Sequence, residues 1–249
     1  CYFRSWDTPH GSMASIGRTT SPDFLHWSPG VSVAPNRENE PLYTNQTHPY
    51  FRAPHIYIAF PSRFYRTHQW ENGLWSGNTD ICFMTSRAGS THYDRTFEEA
   101  FLRPGMDPES WKNRANFVAL NVHPTGPHEI SLWHKNGHRY TLRTDGFISI
   151  QAGIEEGRLL TKPIRFSGKA LQLNVSTAVA GSVRVEILDA DGNPLEGYRL
   201  SECDPVVGDD IAYTVSWGDS SDVSSLAGKP VQLRFVLQEA DLYAFRFVP

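Results

Sequence analysis

Two acidic residues stand where carboxylate chemistry could be placed. Asp80 leads the apolar run 81–84, and Glu129 leads the run 130–133. Glycosidic bonds are cleaved between two carboxyl groups, one the acid and the other the nucleophile or base. These lie about 5–5.5 Å apart for retention and about 6.5–9.5 Å apart for inversion. A carboxylate at the head of an inner strand can meet a second one across a shared axis, which makes Asp80 and Glu129 the candidate catalytic residues. Plainer accounts stand beside them. Asp80 follows Gly77-Asn78 and reads equally as a turn residue, and Glu129 as an edge or cap residue. Asp7 and Glu71 sit in polar loops and are weaker candidates.

Arg52, His55 and Arg63 flank one strand-like run. A guanidinium at 52 could clamp a carboxylate or sugar hydroxyls, and Arg63 reads as either a surface ion pair or a pocket residue. Three positions apart on a regular strand, Arg52 and His55 point to opposite faces. A packed histidine is the plainer account of His55. Trp70, Trp75 and Trp111 fall in loop-like sequence. Exposed, each offers a flat apolar platform for a sugar ring; buried, each simply fills space under its loop. These six are the candidate substrate-binding residues.

Other chemistries lack their signatures. The three cysteines, Cys1, Cys82 and Cys203, are far apart, with no Cys-x-x-Cys or Cys/His cluster. No metal is expected, and buried free thiols fit better than a disulfide. There is no His-Glu-x-x-His, no Gly-x-Ser-x-Gly and no phosphate-binding glycine loop, so no cofactor is expected. Asp189-Ala190-Asp191-Gly192-Asn193 has the look of a calcium loop but lacks the later glutamate and the helices, and reads as a hairpin turn. The net charge of −4 argues against a nucleic-acid partner. No apolar run approaches the ~20 residues that span a bilayer, so no membrane partner is expected.

The elements that must position these residues are strands. With 249 residues, 39% hydrophobic and 20% charged, the chain is globular and fits one large or two modest domains. Aromatics at 12% suit either β cores or sugar stacking. Residues 15–27 and 80–93 look alike: a short strand ending near Thr-Ser, a turn residue, then an aromatic after His. The offset of about 65 residues suits a repeated blade with insertions. Residues 55–60 read as a strand between Pro54 and Pro61. Residues 129–134 and 139–143 read as a hairpin over Lys135-Asn136-Gly137-His138. Long polar loops at 29–49 and 64–79 are candidates for function. A short helical turn is expected near 95–101 or 107–112. From about residue 147 the texture changes. Runs 171–175, 183–187, 231–237 and 242–247 alternate apolar and polar, the mark of strands with one buried face, and predict two stacked antiparallel sheets. The boundary falls at Thr144-Asp145-Gly146.

The run Asn45-Gln46-Thr47-His48-Pro49-Tyr50-Phe51-Arg52-Ala53-Pro54-His55-Ile56-Tyr57 with Phe60-Pro61-Ser62-Arg63-Phe64 resembles a bacterial glycoside-hydrolase-like family. So do Thr79-Asp80, Thr85-Ser86-Arg87, Glu129-Ile130-Ser131-Leu132, Cys203-Asp204-Pro205 and the tail from Asp145-Gly146-Phe147 to Leu242-Tyr243-Ala244-Phe245-Arg246-Phe247. The resemblance spans nearly the whole chain. It implies an all-β fold: about three blades of a five-bladed β-propeller of the β-fructosidase-like kind over 1–145, then an antiparallel β-sandwich over 146–249. It implies a carbohydrate partner and hydrolysis by paired carboxylates. The alternatives are a non-catalytic carbohydrate-binding propeller and a structural or protein-interaction propeller. Such enzymes carry the nucleophile on the first blade and an Arg-Asp-Pro motif on a middle one, whereas here Arg52-Ala53-Pro54 has Ala in place of Asp. The chain opens on Cys1-Tyr2-Phe3-Arg4, which reads as the middle of a strand. An N-terminally truncated fragment is therefore expected, compatible with a secreted or periplasmic full-length protein.

Overall fold

The computed structural model describes residues 1–6, 14–35, 40–65, 77–95 and 97–249. The chain is all-β, 49% strand and 3% helical, and includes a sheet curled into a half-barrel. It divides into two compact units, 1–125 with 130–141, and 126–129 with 142–249.

In the first unit the strands are short and the sheets small. Tyr2–Ser5, Ser15–Arg18 and Val31–Ser32 form one antiparallel sheet. His48–Tyr50, Ala53–Ala59 and Met84–Arg87 form another. Ser62–Tyr65 pairs antiparallel with Asn78–Ile81, and Ala34–Pro35 pairs parallel with His92–Tyr93. Among the described residues no sheet here exceeds three strands, where a propeller blade has four. The look-alike stretches both begin as strands and are closed by side chains. Asp23 accepts from the backbone of Leu25 (2.9 Å) and His26 (2.8 Å), and Ser90 accepts from that of His92 (3.0 Å). Ile16, Val33, Leu42, Ala59, Met84 and Tyr93 form the buried core that these sheets share. The expected helical turn forms as a 3-10 helix at Pro108–Trp111, capped by the Asp107 carboxylate, which accepts from Glu109 N at 3.0 Å.

His123–Gly126, Glu129–Trp133 and Arg139–Arg143 form a three-stranded sheet, with Gly137 in the tight turn at φ +87°. Only glycine takes that backbone readily.

The second unit holds one five-stranded antiparallel sheet. Runs 171–175 and 183–187, expected as separate strands, belong to a single strand, Ala170–Leu188. Runs 231–237 and 242–247 likewise merge into Gln232–Val248. The two long strands pair along their length with register breaks between Asn174 and Val175 and between Thr177 and Ser182. Such bulges bend a strand sharply, so hydrogen bonding stays continuous where two separate sheets were expected. At Gly181 a Cβ would stand 2.3 Å from the Glu239 carbonyl, so only glycine fits that crossing. The alternation itself is realised: Leu171, Leu173, Val175, Val183, Val185, Ile187, Leu233, Phe235 and Leu237 all point into one core.

Arg143 ties the start of this unit to its sheet. Its Nε donates to Asn174 Oδ1 at 2.6 Å and its Nη2 to the Val175 and Asp210 carbonyls at 3.0 and 2.8 Å. It also pairs with Asp209 and lies over the Tyr243 ring.

Candidate functional site

Ser62–Tyr65 and Asn78–Ile81 place Arg63 directly opposite Asp80, and Tyr65 opposite Asn78. Alternate residues of a strand share a face and opposed residues touch, so these four side chains come to one surface. Arg63 grips Asp80 with two parallel bonds, Nε to Oδ1 at 2.8 Å and Nη2 to Oδ2 at 2.7 Å. Its Nη1 donates to Glu40 Oε1 at 3.2 Å and to the Glu98 carbonyl at 2.7 Å. Arg95 pairs with the other oxygen of Glu40 and also reaches the Glu98 carbonyl at 2.9 Å. The Glu40 side chain is 2% exposed and that of Arg95 is fully enclosed. Two guanidinium and two carboxylate groups thus form a charge-balanced quartet, buried except at Asp80, which is part-exposed to the cleft.

Burial works against the charge on Arg63, but the Asp80 hydrogen bonds and nearby negative groups outweigh it and raise its pKa above the ordinary arginine value. Cys82 lies beneath, 3.6 Å from Arg95 Nη2. Burial pushes its thiol up to about 12 against the pull of the two guanidinium groups.

Over this quartet opens a cleft of about 730 Å³, lined in part by Arg63, Asp80, Glu98, Glu99, Arg103 and Trp111. Trp111 enters from the 3-10 helix, its indole N–H donating to the Gly105 carbonyl at 2.9 Å. Buried Asn116 fixes that helix to the hairpin: its Nδ2 donates to the Ser110 and Thr79 carbonyls at 2.7 and 2.6 Å, and Ser62 Oγ donates to the Asn116 carbonyl at 2.8 Å. Glu98 and Glu99 are exposed.

Of the residues singled out from sequence, Asp80, Arg63 and Trp111 meet at this cleft. Glu129 opens the strand Glu129–Trp133, is itself grouped with the second unit, and is not among the cleft's lining residues. Arg52 lies half-buried in the turn before Ala53–Ala59, and His55 is exposed on that strand; neither lines the cleft. Trp70 and Trp75 lie outside the described residues. Asp80, expected to lead an inner strand, sits inside Asn78–Ile81 with both oxygens held by Arg63.

Glu40, Arg95, Glu98 and Glu99 escaped sequence reasoning. Glu40 belongs to the long loop at 29–49, and that length was the one available signal. Among the described residues no group of three or more His, Cys, Asp or Glu could hold a metal ion, and Asp189 Oδ1 is engaged in capping its own turn at Asp191 N and Asn193 N (both 2.9 Å). Among the same residues, no helix is long and apolar enough to cross a membrane.

The chain matches no known protein-family profile and no curated protein. Among solved structures it is similar to a glycoside hydrolase family 43 arabinoxylan arabinofuranohydrolase from Bacillus subtilis in complex with cellotetraose. The match has 13% identity and a TM-score of 0.31, and covers 98% of this chain and 60% of the other. The chain thus spans 60% of that protein's length, and a likeness of this degree defines neither fold family nor activity.

Proposed function

We propose that this chain recognises carbohydrate, as part of a glycoside-hydrolase-like protein, and that the cleft above the Arg63–Asp80 pair is its sugar site. The observation that carries this reading is the cleft itself. It sets an aromatic platform, Trp111, beside the exposed carboxylates Glu98 and Glu99 and over a floor immobilised by ion pairs. Sugar rings present an apolar face ringed by hydroxyls. A tryptophan takes the face and carboxylates accept from the hydroxyls. Architecture belongs to the same proposal: small sheets over 1–145 as parts of propeller blades, and the curled sheet over 146–249 as a sandwich-like partner domain.

Recognition is favoured over hydrolysis by the state of Asp80. A general acid must deliver a proton to the leaving oxygen, whereas a carboxylate gripped at both oxygens by a guanidinium serves as a fixed anion. Hydrolysis is the second reading, favoured by the side-by-side Glu98 and Glu99 at the cleft. Calorimetric titration with neutral xylo-, arabino- and cello-oligosaccharides tests both. Trp111→Ala should weaken binding about tenfold, the worth of one aromatic contact, without changing the fold. Binding by the wild type that Trp111→Ala leaves intact would overturn the site. Release of reducing sugar by the wild type, lost in Glu99→Gln, would establish the second reading in place of the first.

A further inference from the structure

In the first unit, on residues that do not line the cleft, cations are stacked on aromatic rings. Tyr43 and Phe117 lie parallel, 5.7 Å between centroids and 6° between planes. The Arg4 guanidinium lies 4.8 Å and that of Arg114 5.3 Å from the Tyr43 centroid, and Lys135 Nζ lies 5.5 Å from that of Phe117. Arg4 also lies 5.4 Å from the ring of Trp6, which is 50% exposed. Four separate segments build this array. Arg4 comes from Tyr2–Ser5, Tyr43 is held by its backbone N–H donating to the Ser62 carbonyl (2.7 Å), and Phe117 accepts from Lys135 N (2.9 Å).

Two features mark the array as a built surface. Among the described residues none of its three cations pairs with a carboxylate, in a chain whose net charge is −4. Arg114 also adopts φ +59°, a left-handed conformation that a residue with a Cβ rarely takes, and Lys135 Nζ donates to its carbonyl at 2.8 Å. The fold thus holds a guanidinium over a ring at the expense of backbone strain while, among the described residues, leaving it without an acid. Cations spread on aromatic faces are less hydrated than free ones and keep their N–H edges for an anion.

We infer that Arg4, Arg114 and Lys135, arrayed on Tyr43 and Phe117 beside Trp6, form a binding face for a uronate-bearing polysaccharide. Each uronic acid offers a carboxylate for a guanidinium fork and an apolar ring face for an exposed aromatic, and a polymer repeats both along its length. The overall negative charge disfavours a nucleic acid, whose binding draws on a basic domain. The inference rests on the carbohydrate reading for the kind of polymer, but on this face alone for its charge.

The test is calorimetric titration of the full chain with polygalacturonate oligomers, with neutral xylo-oligosaccharide and oligothymidylate as comparisons. Uronate binding should weaken with added salt. The Arg4→Gln/Arg114→Gln pair should lose about tenfold or more, and Arg4→Lys, which keeps the charge but not the planar fork, should lose part of that. Lys135→Gln, on an exposed turn, supplies the same reading should the double variant fail to fold. Uronate bound no better than the neutral oligomer, or bound equally by the glutamine variants, would overturn the inference. Oligothymidylate bound as tightly as uronate would overturn it in favour of a nucleic-acid face. A wild type that binds uronate but no neutral sugar would sink the cleft reading and leave this one standing.

Discussion

Arg63 and Asp80 were legible one at a time, as a cation and an acid worth watching, but their union depends on register. A shift of one residue between Ser62–Tyr65 and Asn78–Ile81 would have put them on opposite faces. Glu40 and Arg95 were beyond reach because their partners lie far along the chain and nothing in their neighbours marks them as buried. The pair Arg95–Glu40 gives a direct expectation. Glu40→Gln keeps the volume but removes the charge facing an enclosed guanidinium, and breaking a buried ion pair from one side costs about 3–5 kcal/mol. Urea unfolding of the variant should show that loss; a loss below about 1 kcal/mol would mean the quartet is solvated after all.

Among the elements, the long strands of the second unit were visible because period-2 alternation survives any bend: Leu171, Leu173 and Val175 point inward wherever the strand leads. That 171–175 and 183–187 run on as one strand was hidden, because Thr177-Ala178-Val179-Ala180-Gly181 between them breaks the apolar–polar alternation. The 3-10 helix that presents Trp111 is the opposite case. A short helical turn was expected there, but its position depends on Asn116, an ordinary polar residue in the sequence. Asn116→Ala strips donors from the Thr79 and Ser110 carbonyls and should cost about 2–3 kcal/mol. It should also reduce affinity at the cleft by loosening Trp111, a coupling read by hydrogen exchange at the Trp111 indole. Unchanged exchange would show that Asn116 only stabilises.

At the scale of the whole molecule, stability should depend on pH through histidine. Burial holds the pKa of His48 below the ordinary 6.5, although its Nδ1 faces the Gln46 carbonyl at 2.9 Å; His134 is lowered for the same reason. A depressed histidine is neutral in the fold and takes up a proton more readily when unfolded. Its contribution is therefore complete above the unfolded value and is lost as pH falls through about 6.5 toward the folded pKa. The unfolding midpoint should drop between about pH 8 and pH 5.5, and His48→Gln should flatten that slope. An unaltered slope would assign the loss to other groups. The all-β class was legible from turns and alternation alone, whereas the small size of the first unit's sheets was not, since strand pairing between distant segments such as 34–35 and 92–93 leaves no local trace.

The account stands on a sugar lying against Trp111 over the Arg63–Asp80 floor. The most direct measurement is a crystal structure of the chain soaked with the neutral oligosaccharide that binds best in solution. Density for a sugar ring stacked on Trp111, with hydroxyls reaching Glu98 or Glu99, is the predicted result. A sugar that binds in solution but is seated elsewhere in the crystal, with the cleft holding only water, would contradict it.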